Sequence, residues 1–463
     1  MFRRKWEGLP ADPDFPVDLE KLGYFINEED EVRAIDNPNN YFKFFLNRNP
    51  RWNERQRFAM NQALQGVIWE RLERLGMKKV LLPLGTEDTS KPHVPIFVSK
   101  DIASASRVVV IFGETGQDLG VLAHRVIGGP GGVNKGSMVS ILSSLMEQSS
   151  SSVDLRPPGV ILANTGELIW WPEGNRTLSR IAFNAVPMKS AVHLGNLITD
   201  ANLVEKNEDA LHHISHMFKT VIPHFVNDGA KIDIIGVGDG ADLVETYLDH
   251  LLIKHDKWKS RISCLALVGG TLPAWELKNE EFAKVFLRKK ARAYATSTEP
   301  AGMIISGPDG NPNTTTFTEQ GCPVFSSGSE HYTELTLIRA RDIVLDWMQE
   351  VAMTPEDEEY TNPEYHVVYC DPKLDLGAEP DWSQWEDEAL AGGGEKEECQ
   401  EAQVQEGGTQ KGEAQKSLEE PVKDKGKEGK AVAWDPRLVI VEPPKAEETH
   451  NDNVEVGEGK DEN

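Results

Sequence analysis

The sequence predicts an α/β fold: a mostly parallel sheet of about eight strands, helices on both faces, and a disordered acidic C-terminal tail. Three observations carry this. Short Val/Ile-rich runs alternate with amphipathic helical stretches, the pattern of β-α-β units whose strands are buried on both faces. One such run, Lys231 to Val237, enters a glycine turn and then a helix. Near residue 371 the composition changes to Glu, Lys, Gly, Gln and Pro with few aromatics. Such a segment buries too little apolar surface to offset its ordering entropy.

Residues 1–75 read as an extended arm followed by a helix packed on the core. Asn53 has an N-cap side chain, Glu54 to Arg74 has helical pattern, and Met60, Leu64, Ile68, Leu72 and Leu75 fall three or four apart. Residues 76–370 form the α/β domain. Its strands are expected at 80–84, 96–99, 107–112, 159–163, 232–237, 264–268, 292–296 and 323–327, with 362–370 as a possible edge strand. Between them lie three apolar stripes at helical spacing. The first is Leu211, Ile214, Phe218, Val221 and Phe225. The second is Leu243, Val244, Tyr247, Leu248, Leu251 and Leu252, and the third Leu337, Ala340, Val344, Trp347 and Val351.

The tail, 371–463, carries 26 acidic and 11 basic residues of a chain whose net charge is −26. The body is therefore also acidic, without the basic footprint of a general nucleic-acid binder. No apolar run approaches the roughly 20 residues of a membrane helix. Met1 to Trp6 has the charge of a signal peptide, but no apolar stretch follows. Cys264, Cys322, Cys370 and Cys399 have neither metal nor redox spacing. A reduced intracellular compartment is expected, making the sequons at Asn175 and Asn313 chance matches. Within the tail, Trp434 to Val441 is an apolar island of the kind that folds on a protein partner.

The turn at Gly236-Val237-Gly238-Asp239-Gly240 has the frame of the G-x-S-x-G nucleophile elbow of α/β-hydrolases. The nucleophile's position holds Gly238, which has no side chain to attack with. In open α/β sheets, sites gather at the carboxyl ends of strands. The 107–112 strand opens into Gly113, Glu114, Thr115 and Gly116, where an oxyanion loop belongs. The acid and histidine of a triad would then be Glu299 and His331, in the hydrolase order. The same glycines fit G-x-G-x-x-A, but no acid ends the following strand to bind a ribose, so no dinucleotide is expected.

The stretch Ile127 to Ser137 resembles a phosphate loop with Lys-Gly-Ser in place of Gly-Lys-Ser; a surface loop is expected, with Lys135 as a candidate anion ligand. His212 and His216 share a helix face but lack the Glu of H-E-x-x-H, so solvated histidines and no metal are expected. Trp170 and Trp171 are read as buried. The ligand-binding candidates are Gly113, Glu114, Thr115, Gly116, Asp239 and Lys135; no cofactor is expected.

Long strings of this chain resemble the fungal argonaute-binding-protein-2 domain family, relatives of the α/β-hydrolases. They are V-V-V-I-F-G-E-T, A-H-R-V-I-G-G-P-G-G-V-N-K-G-S-M-V, L-A-N-T-G-E-L-I-W-W-P-E-G, D-I-I-G-V-G-D-G-A-D and S-T-E-P-A-G with S-G-P-D-G-N-P, within residues 1–370. The resemblance implies a hydrolase-like fold used in small-RNA-directed heterochromatin silencing, in an argonaute siRNA chaperone-type complex of nucleus or cytoplasm. It also implies a domain type attached elsewhere to histone deacetylases, with animal relatives that keep a serine at the elbow. Gly238 departs from that serine. The expectation is a non-catalytic scaffold partnered by argonaute or other silencing proteins. The alternatives are an esterase or deacylase with a nucleophile outside the elbow, and a small-ligand-binding pseudo-enzyme.

Overall fold

A computed structural model describes residues 8–192, 195–254, 256–312, 316–355 and 357–365. The tail, with Cys370, Cys399 and the Trp434 to Val441 island, lies outside them, as does Asn313.

Nine strands form one sheet: β1 (Met77–Leu82), β2 (Val94–Ser99), β3 (Arg107–Phe112), β4 (Gly159–Leu162), β5 (Lys231–Val237), β6 (Ile262–Val268), β7 (Ala291–Ala295), β8 (Ile304–Ser306) and β9 (Val324–Ser326). Their order is β1-β2-β4-β3-β5-β6-β7-β9-β8. Strands β4, β3, β5, β6, β7 and β9 run parallel, β2 is antiparallel to both its neighbours, and β8 is antiparallel to β9. This is the α/β-hydrolase arrangement with one short strand added at the far edge. All eight expected strands lie in the sheet. The added strand, Ile304–Ser306, is too short to show a period. Of the possible edge strand at 362–370, residues 366–370 lie outside the described residues and 362–365 form no strand; the Asn362 N–H donates to Lys289 O and its amide to Arg288 O and Ala291 O, pinning the chain beside β7.

Successive residues of each strand point to opposite faces, and V-V-V-I-F therefore feeds two cores. Val108, Val110 and Phe112 join one cluster, Val109 and Ile111 the other. Against the second face pack α1 (Pro50–Arg74), α2 (Met138–Leu145) and, further along the chain, α5 (Thr336–Ala352). Against the first face pack α3 (Ala210–His216) and α4 (Asp239–Lys254). Met60, Leu64, Ile68 and Leu72 of α1 are fully buried, each stabilising the fold by about 1.5–3 kcal/mol.

Two local corrections have clear causes. The helix α1 starts earlier than expected, because Asn49 caps it by accepting the Arg51 N–H and Pro50 occupies the first turn, where its missing donor costs nothing. Asn53 is instead buried inside the helix, its side-chain oxygen accepting the N–H groups of Leu46 and Asn47. Beyond α3 the helix widens into a π turn, Met217–Val221, ahead of Pro223. A proline cannot donate to the carbonyl four residues back, and the wider turn absorbs that loss.

Candidate functional site

The glycine turn forms the junction of β5 and α4. Gly238 adopts φ +56°, a left-handed conformation that costs ordinary residues about 1–3 kcal/mol and that a nucleophile elbow imposes on its serine. Its N–H donates to Val268 O at 2.8 Å, locking the turn to β6. Gly240 has no room for a side chain, since a Cβ there would stand 2.1 Å from Gly113 O. The backbone of an elbow is thus intact.

Its chemistry is not. A Cβ on Gly238 would lie 2.5 Å from both Cγ and Oε1 of Glu114. The carboxyl of Glu114 occupies the place of the nucleophile's side chain. Burial raises its pKa above the usual carboxylate range, and the nearby charges of Asp239 and Glu334 push the same way. On the oxyanion loop, the Thr115 N–H donates to Asp239 Oδ1 at 2.8 Å and the Thr115 hydroxyl to Asp239 Oδ2. The Gly113 carbonyl accepts from Thr165 Oγ1 at 2.5 Å. A developing oxyanion would meet the Asp239 carboxylate at the Thr115 donors rather than free N–H and O–H groups.

The triad partners do not converge. His331 is exposed, its Nε2 lies 3.6 Å from Glu330, and its ring meets Tyr332 edge-on. Glu299 is exposed as well, and its backbone carbonyl accepts from Ser326 Oγ at 2.6 Å. Among the described residues no hydrogen bond or ion pair joins Glu299 to His331. Lys135 is exposed, not in a loop as expected but at the end of a short helix, Gly132–Lys135, whose first N–H groups are already occupied. Val133 N–H donates to Asp30 O, and Asn134 N–H to Asp30 Oδ2 at 2.6 Å, while Arg71 binds Asp30 Oδ1. The Asp30 carboxylate thus stands where a phosphate would.

A family model for the Arb2 domain matches residues 15–301, more than half of the chain. The chain belongs to the Arb2 domain family. The cotranscriptional regulator ARB2A of Mus musculus is 25% identical over 147 residues, 31% of this chain and 35% of that protein. The chain therefore spans about a third of the length of this curated relative. Among solved structures, the peroxisomal α/β-hydrolase Lpx1 of Saccharomyces cerevisiae is 10% identical over 68% of this chain and 98% of its own, with TM-score 0.31. The esterase LipW of Mycobacterium marinum is 11% identical over 56% of each chain, with TM-score 0.24.

Next to the elbow, this Arb2 domain holds a cleft of about 220 Å³ that sequence reasoning missed. It lies between α1, the Gly116–Asp118 end of the oxyanion loop, and the segment around Leu178 and Ser179. Two buried carboxylates form its floor. Glu167 accepts from Gln65 Nε2 at 2.8 Å, the Leu119 N–H at 2.9 Å and Arg176 at 3.1 Å. Asp118 accepts from Ser179 Oγ at 2.7 Å and lies 3.3 Å from His124 Nε2. Burial, with the nearby Asp118 charge, pushes Glu167 up to about 7 despite Arg176. Burial works the same way on Asp118, but His124 and Ser179 hold it below the usual range. The order is Ser–Asp–His, with the acid in the middle, so the histidine cannot take the serine's proton as a triad requires. No side chain in the sequence marks this site by spacing, since its members come from six separated segments.

The histidines of α3 also differ from expectation. His212 is exposed beside Asp209, but His213 and His216 are buried and both face Asn207 Oδ1, at 2.8 and 3.2 Å. His213 Nε2 accepts the Asn164 N–H, so Nδ1 carries the proton and the ring is neutral. Among the described residues no group of three or more His, Cys, Asp or Glu is placed to hold a metal. Trp170 is buried, as read from the sequence, whereas Trp171 is only half-buried.

Burial, reinforced by the charge on His216, pushes His213 down to about 3 from 6.5. The unfolded chain then binds a proton that the native state refuses. Stability is full above pH 6.5 and falls below it, by up to about 1.4 kcal/mol per pH unit from this residue. Urea unfolding followed across the acid range should give a steep loss in the native chain. His213→Gln should start less stable and lose less on acidification. Parallel profiles for the two chains would contradict a neutral buried His213.

Proposed function

We propose that this Arb2 domain is a non-catalytic, hydrolase-like binding scaffold for transcriptional regulation. The observation that carries the reading is the filled elbow: the Glu114 carboxyl stands in the nucleophile's place and Asp239 takes the Thr115 N–H. Family membership and the cotranscriptional role named for the mouse relative support regulation as its setting. Within that setting we place it in small-RNA-directed heterochromatin silencing, in a nuclear argonaute siRNA chaperone-type complex or beside a histone deacetylase. Its partners are then argonaute or other chromatin proteins, with Trp434 to Val441 as a docking segment. The net charge of −26 makes direct binding to RNA or DNA a minor contribution.

Affinity purification of the full chain from its native host, followed by mass spectrometry, tests the partners. Recovery of argonaute or chromatin proteins, reduced when residues 434–441 are deleted, is expected. A set free of both classes would sink the silencing role. A serine-reactive fluorophosphonate tests the chemistry: no covalent adduct is expected. An adduct lost on His331→Ala would establish the esterase alternative instead.

A further inference from the structure

We propose that the cleft beside the elbow binds a small amphiphilic carboxylate, its head on Arg57 and its tail on Phe58, Leu178, Ile181 and Ala185. The inference deepens the non-catalytic reading, since it assigns that scaffold a ligand that is held rather than hydrolysed.

Hydrogen-bond accounting decides the sign of the ligand. Every carboxylate lining the cleft already has donors. Asp118 takes the Ser179 hydroxyl and faces His124, and Glu167 takes Gln65, Leu119 N–H and Arg176. Glu334 pairs with Arg125 at 3.2 Å. A cationic ligand would therefore meet carboxylates that are already paired. Donors do remain. Arg57 is half-buried, lines the cleft, and has no carboxylate partner among the described residues; its guanidinium lies over the Phe44 ring at 5.3 Å. A guanidinium in that state matches a carboxylate bidentately.

The opposite wall decides the rest of the molecule. Phe58, Leu178 and Ala185 are buried beneath it, and Ile181 stands exposed at its mouth. An apolar lining with few convergent polar groups is the common build of a small-molecule site. A volume of about 220 Å³ corresponds to about seven water volumes of roughly 30 Å³ each, room for a short chain or a single ring. One negative charge suits the site better than two, because Asp118 and Glu334 also line it.

Titration calorimetry of the full chain against hexanoate tests this, with hexanol, acetate and inorganic phosphate as comparisons. Hexanoate should bind saturably. Hexanol lacks the charge and acetate the tail, and each should bind at least about ten-fold more weakly. Arg57→Gln should weaken hexanoate about ten- to a hundred-fold while leaving hexanol unchanged. Ile181→Glu, at an exposed position that leaves the fold intact, should weaken hexanoate by charge repulsion. Absence of saturable hexanoate binding, equal affinity in Arg57→Gln and Ile181→Glu, or preference for phosphate would each overturn the proposal. A fluorophosphonate adduct would instead overturn the non-catalytic reading and leave hexanoate binding standing.

Discussion

Arg107→Leu lowers the free energy of unfolding by about 3–5 kcal/mol, the cost of stranding a buried charge whose partner is removed. Arg107 and Asp233 are both almost wholly buried, on neighbouring strands β3 and β5, with Nε 2.6 Å from Oδ2. The guanidinium reaches further. It donates to Ser149 O at 3.0 Å, to the side-chain oxygens of Gln148 and Gln349 at 3.2 Å, and to Met348 O at 3.1 Å. It therefore ties the centre of the sheet to α5 and to the turn after α2. Asp233→Asn should cost less than Arg107→Leu, because an amide oxygen still accepts from Nε. Replacing both residues by leucine should recover much of the loss, since well-packed apolar groups often equal a buried ion pair. Urea midpoints of the parent, Arg107→Leu, Asp233→Leu and the double leucine variant form the double-mutant cycle. A single-variant loss below about 1 kcal/mol would show that the pair is dispensable.

Gly238→Ser, which completes the G-x-S-x-G frame, yields no hydrolysis of p-nitrophenyl acetate above the parent chain and a less stable protein. The serine must adopt the left-handed backbone and also displace Glu114 Cγ and Oε1, which stand 2.5 Å from its Cβ. The backbone term alone is about 1–3 kcal/mol. Gly238→Ser with Glu114→Ala should regain part of the stability by opening that space. It should remain inactive, because His331 stands on the surface beside Glu330 and Asp239 occupies the Thr115 donor. Losing the histidine of a serine triad alone costs about a million-fold. A steady-state rate in the double variant that vanishes with His331→Ala would mean that the triad assembles in solution.

The sheet was legible in the sequence because its strands are long, apolar and buried on both faces, as V-V-V-I-F illustrates. Its reversed second strand was not, since an apolar run looks the same in either direction. The elbow was legible in its glycines, Gly236 and Gly240 fixed by backbone approach and Gly238 by its left-handed φ. Its occupant was not: deleting a side chain leaves a space, and only coordinates reveal that Glu114 from the neighbouring loop fills it. Glu299 and His331 follow the hydrolase order, yet order along a chain does not bring side chains together. The cleft escaped notice for the same reason, drawing Gln65, Asp118, His124, Glu167 and Arg176 from separate elements. The histidines of α3 looked solvated because a polar residue at helical spacing reads as surface. Asn207 and the Asn164 N–H, from outside the helix, make burial affordable there.

Asp30, whose backbone carbonyl takes the Val133 N–H and whose carboxylate takes the Asn134 N–H, behaves as a ligand covalently attached to its own receptor. Attachment gives it a standing local concentration of about millimolar or more, independent of how much protein is present. Free phosphate in solution would then compete at a disadvantage for these N–H groups at the start of the short helix Gly132–Lys135. The turn joining the antiparallel strands Tyr24–Ile26 and Val32–Ala34, which carries Asp30, would thereby make this corner of the domain indifferent to the phosphate supply around it.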